Sequence, residues 1–215
     1  MERNVKTAYI WISVYIILLS VLKILFALLF TYISFVIVLM ALVSAVIISV
    51  IVWRHPLSDK LLYLQSFLNM IGGSALGVLV AFWLSDQVRL VSFLIPMAVI
   101  DLVSFTRFGK WTFNRKLMEN NTVVKRLSVC LPVPGFSGLY PMTGIGDVFC
   151  FSLIVGATVK IWGIEAVWIA VVAILAGQVL NVIVMLTIKG RSWYRGIPAT
   201  TLPVLFFVAA TLTLL

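Results

Sequence analysis

The stretch Gly144–Gly156, GIGDVFCFSLIVG, sets a carboxylate, Asp147, behind two glycines at the mouth of an apolar run. An aspartate taken out of water costs several kcal/mol unless it is paired, protonated or put to use. Whether the run is a membrane helix or the core of a soluble domain decides the fold, and the surrounding chain answers. Of 215 residues 63% are hydrophobic and only 11% charged, and the mean hydropathy of +1.18 lies far above that of a soluble domain. The chain reads as an integral membrane protein, an all-α polytopic transmembrane helix bundle.

Working outward, apolar runs close to the roughly 20 residues that cross a ~30 Å hydrocarbon core recur at 8–29, 32–53, 61–84, 88–106, 145–161, 164–188 and 197–215. Residues 7–53 hold one charge, Lys23, and neither Gly nor Pro. As one helix they would be about 70 Å long, more than twice the core, so a turn is expected around Phe30–Ser34. Uninterrupted runs favour helices over barrel strands, which alternate over about ten residues. The first run is too long for a signal-peptide core and is expected to be retained as a span.

Seven spans sort the basic residues. Arg3, Lys6, Arg54, Lys60, Arg107, Lys110, Arg115, Lys116, Lys125, Arg126, Lys189, Arg191 and Arg195 fall on one side, against Arg89 and Lys160 on the other. That bias puts the N-terminus in the cytoplasm and the C-terminus outside. Because these residues flank spans, the net charge of +9 implies a lipid bilayer as partner and no nucleic acid. Cys130 and Cys150 lie apart, one in a loop and one in a span, implying neither disulfide nor metal site. His55, beside Pro56, reads as a solvated turn residue.

The chain divides into an N-terminal three-helix segment, 1–96, and a four-helix segment, 97–215, with a cytoplasmic loop at 107–143. Within that loop RLSVCLPVPGFSGLYPM mixes β-branched residues with Pro and Gly. An irregular linker is the favoured reading, an extended or strand segment the alternative.

Glu2, Asp59, Asp86, Glu119 and Glu165 fall in or beside loops, which leaves Asp101 and Asp147 within spans. Asp101 sits roughly 8 Å from the cytoplasmic end of its span at 1.5 Å per residue, and Asp147 lies in the first turn of the next. Antiparallel helices bring them to similar depth. Two close carboxyls in a poorly solvated site share a proton, a state suited to hydrolysis: one activates a water while the protonated partner polarises a carbonyl. Gly144 and Gly146 clear side chains from around the second acid, so that a helix or substrate backbone can approach.

Three segments resemble the presenilin and signal peptide peptidase family of intramembrane aspartyl proteases. Ile100–Phe105, IDLVSF, resembles the family's Tyr-Asp motif with Asp101 as first catalytic acid; Gly144–Ile145–Gly146–Asp147 resembles its Gly-x-Gly-Asp motif with Asp147 as second. Ile197–Pro203, IPATTLP, resembles its Pro-Ala-Leu motif. The resemblance covers residues 97–212 and implies a small microbial presenilin-like protease that cleaves transmembrane proteins or peptides without a cofactor. It further implies that Gly144, Ile145, Gly146, Pro198, Ala199 and Thr200 line the substrate site. Ile100 stands where the family has tyrosine and Thr200 where it has leucine, and seven spans replace nine. Prepilin and preflagellin peptidases share the Gly-x-Gly-Asp signature, but further membrane helices separate their acids. A transporter using both acids as a cation or proton relay would place them at mid-membrane.

Overall fold

The computed structural model describes residues 2–84, 86–106, 109, 112–135, 137–188 and 198–214. The turn expected in the N-terminal apolar stretch falls at Ile33–Ser34, parting α1 (Glu2–Tyr32) from α2 (Phe35–Trp53). Then come α3 (Asp59–Ala81) and α4 (Gln87–Ser104), started by polar side chains that satisfy free N–H groups of a first turn. Ser58 accepts from Leu61 N at 3.4 Å and Asp86 from Arg89 N at 2.9 Å. The short helices α5 (Phe113–Met118) and α6 (Asn121–Arg126) lead to strands β1 (Ser128–Pro132) and β2 (Leu139–Gly144). Last come α7 (Ile145–Trp162), a single 3₁₀ turn (Ile164–Ala166), α8 (Val167–Ile188) and α9 (Thr201–Leu214).

Among the described residues six helices are long and apolar enough to cross a membrane, namely α1 from Thr7, α2, α3, α4, α7, and α8 with its preceding turn. The chain is thus helical and of integral-membrane character. The seventh expected span, 197–215, is realised as a 14-residue helix, about 21 Å long and short of a full hydrocarbon core. It starts late because Ala199–Thr200 form a turn before it. Lys189, Arg191, Arg195 and Ile197 lie outside the described residues, as do Arg107 and Lys110 and the side chains of Arg3, Lys6 and Arg115.

The irregular linker favoured for the 107–143 loop is overturned by the hairpin. β1 and β2 pair antiparallel with Ser128 opposite Gly144 and Val129 opposite Thr143, and a bulge follows Val129. The turn uses Gly135 and Gly138 at φ of 93° and 77°, where side chains are disfavoured. α3 seats the hairpin: Ser66 Oγ accepts from Cys130 N at 2.8 Å, and Asn69 Nδ2 donates to Arg126 O and Ser128 O at 2.9 and 3.0 Å. Arg126 in turn closes the end of α2, donating to Val52 O and His55 O.

Membrane helices gain little from burying apolar surface against one another and associate through close packing of small residues. The contact between α3 and α7 is the central example. A Cβ at Gly77 would stand 2.4 Å from Phe149 O, and one at Gly73 3.0 Å from Val148. α1 packs on α3, α7 and α8, while α9 carries α4. The division between 1–96 and 97–215 is therefore no packing boundary. It falls inside α4, and the central interface crosses it.

Candidate active site

β2 runs straight into α7, with Gly144 as N-cap, so the hairpin fixes where the first turn of α7 begins. Asp147 is the third helical residue, and its Oδ2 accepts the Gly144 N–H at 2.9 Å and the Thr143 hydroxyl at 2.9 Å. A carboxylate here also complements the helix dipole. Capping alone is an ordinary structural role; what exceeds it is the partner across the cavity.

On α4 the buried positions Leu90, Leu94 and Ala98 recur every fourth residue. Asp101 continues that stripe one turn from the helix end, which aims it into the bundle. Its Oδ2 accepts two bonds from Thr200, the hydroxyl at 2.6 Å and the backbone N–H at 3.1 Å. The two acids are thus held alike, each on Oδ2 by a threonine hydroxyl and a backbone N–H, and no described residue bonds either Oδ1.

Both acids line one cavity of about 370 Å³, together with Gly144, Ile145, Gly146, Ala199 and Thr200. Seven of the eight expected site residues therefore meet there. Pro198 is not among the lining residues; it precedes the turn that delivers Ala199 and Thr200. Ile100, in place of the family's tyrosine, adds to an apolar wall with Met97, Phe105 and Phe149. At Gly146 a Cβ would meet no atom within 4 Å, so this glycine leaves open cavity rather than serving helix packing.

The turn at 199–200 is pinned from α8. Ala199 O accepts from Gln178 Nε2 at 2.8 Å and Asn181 Nδ2 at 3.0 Å, and a Cβ at Gly177 would stand 2.4 Å from Pro203 N. Thr201 Oγ1 donates to Ala98 O at 3.1 Å, tying the start of α9 to α4.

Sequence reasoning missed Lys23, Thr143, Gln178 and Asn181. Lys23, buried on α1, donates to Thr143 Oγ1 at 3.1 Å and lies 4.3 Å from the centre of the Phe151 ring. A signal existed for it as the one charge in residues 7–53, and for Gln178 and Asn181 as two amides three apart in an apolar helix. Among the described residues no three of His, Cys, Asp and Glu converge as metal ligands. Comparisons with protein families, with curated proteins and with solved structures find no match to this chain.

Proposed function

We propose that the protein is an intramembrane aspartyl protease that hydrolyses peptide bonds within or next to transmembrane segments, with Asp101 and Asp147 as the catalytic pair. One observation carries the reading: two carboxyls from different helices, each anchored on one oxygen, line the same cavity. Both lie near helix ends, Asp101 three residues before the end of α4 and Asp147 in the first turn of α7, a placement that suits hydrolysis better than a mid-membrane ion relay.

In the reaction one carboxylate takes a proton from water as its oxygen attacks the scissile carbonyl, while the protonated partner donates to the carbonyl oxygen. The tetrahedral intermediate then collapses with cleavage of the C–N bond and transfer of a proton to the leaving amine. The substrate must first unwind, since a membrane helix locks its peptide groups in its own hydrogen bonds. An extended segment is then held by pairing with free backbone. β1 is a poor edge for this, because α3 already engages Ser128 O and Cys130 N. The Ala199–Thr200 turn is engaged as well, with Ala199 O held from α8 and Thr200 N–H on Asp101, which leaves β2 as the candidate edge. The apolar wall around Ile100 favours apolar side chains beside the scissile bond. In this reading seven spans hold the N-terminus in the cytoplasm and the C-terminus outside, with α9 as a short last span.

The test is incubation of purified protein in lipid with a single-span substrate. Asp101→Asn and Asp147→Asn should each fold normally and lose cleavage by about 100-fold or more, and a transition-state analogue of aspartyl proteases should inhibit the parent. Cleavage that survives in both variants overturns the pair.

A further inference from the structure

Lys23 is 2% exposed, and a buried ammonium in a membrane bundle marks a function unless its partner is purely structural. Its partner is Thr143 Oγ1, and that hydroxyl has a single hydrogen, which goes to Asp147 Oδ2. A lysine ammonium donates and never accepts. Its presence therefore obliges Thr143 to accept on that side, and the hydroxyl cannot turn its hydrogen back toward α1. The bonds run from the Lys23 ammonium to the hydroxyl to the carboxylate, and a hydroxyl that accepts from a cation is a better donor. On its other side Lys23 lines a second cavity of about 250 Å³, with Gln178 and Asn181, where its further N–H groups can be solvated.

We propose that Lys23 is a positioning residue: acting through Thr143, it locks the Asp147 carboxylate by Oδ2 and leaves Oδ1 to serve the reaction. The inference rests on the aspartyl-protease reading. A merely structural lysine tying α1 to the hairpin would support folding without a specific effect on turnover.

Full-length protein in lipid, assayed on a single-span substrate, separates these roles. Lys23→Met and Thr143→Val should each lower kcat by about 10- to 100-fold with KM within about twofold, and Thr143→Ser, which keeps the hydroxyl, should recover most of the rate. Since both act through one carboxylate, the double variant should be no more than about threefold worse than the poorer single variant. Wild-type kcat in Thr143→Val, wild-type kcat in a folded Lys23→Met, or effects that multiply in the double variant would each overturn the proposal. If thermal unfolding shows that Lys23→Met does not fold, Lys23→Gln takes its place on the same criteria. Asp101→Asn and Asp147→Asn run alongside: their loss of activity beside unaffected Lys23 and Thr143 variants removes the relay only, whereas their continued cleavage removes the protease reading.

Discussion

Thr200 illustrates how a departure from a family pattern acquires a reason. Where the resembled motif has leucine, this chain has a hydroxyl that bonds Asp101 Oδ2 at 2.6 Å. Thr200→Leu would restore the family residue yet remove that bond and leave only the backbone N–H, so turnover is expected to fall by about 5- to 20-fold, while Thr200→Ser stays near the parent. Steady-state cleavage of one substrate by the three proteins checks this. Cys130, in the hairpin outside the spans, allows a prediction about pH. Burial, partly opposed by nearby Lys125, pushes its thiol up to about 11. Below that pH the thiol stays protonated, and the thiolate is the reactive form. Alkylation at pH 7.5, followed by peptide mass spectrometry, should be at least about tenfold slower in the folded than in the denatured chain, and it should accelerate as pH approaches 11. Equal rates at pH 7.5 would contradict the burial argument.

At the scale of elements, the glycines of one chain do opposite work. Gly77 lets α3 approach the α7 backbone, with Phe149 O 2.4 Å and Leu153 N 2.9 Å from where a Cβ would stand. Gly77→Ala must push the helices apart and should cost about 1–3 kcal/mol, read as a lower Tm in detergent. Gly146, in the first turn of α7, has no atom within 4 Å of a Cβ. Gly146→Ala should leave Tm unchanged and reduce cleavage several-fold, because the methyl group takes up space in the cavity. A fall in Tm for Gly146→Ala, or none for Gly77→Ala, would reverse the assignment of packing and site glycines. The hairpin belongs to the same scale. It ends on Thr143–Gly144, so it both starts α7 and supplies the two donors that hold Asp147.

For the whole molecule, the proposed topology places the α5–α6 turn in the cytoplasm and the end of α9 outside. A reporter inserted at exposed Asn120–Asn121 should report the cytoplasm and one fused after Leu215 the opposite side; the same side for both would mean that α9 does not cross. Much of this organisation was legible in the chain. Six membrane-length helices lie close to where the apolar runs end, and the break at Ile33–Ser34 follows from length alone. Asp101 and Asp147 stood out because a carboxyl in an apolar run is conspicuous. The short reach of α9, the pairing of the hairpin, the partner of Lys23 and the role of Thr200 were not legible. Ser128–Pro132 is seated as a strand, with Leu139–Gly144 paired to it, because α3 offers Ser66 and Asn69, and neither lies in the segment itself. Lys23 meets Thr143 across 120 positions, and Thr200 meets Asp101 across 99. A bilayer demands apolarity and length of every span separately, and that demand is written locally, residue by residue. Which polar groups meet inside is decided by how helices remote in sequence pack, and only the tertiary structure holds that information.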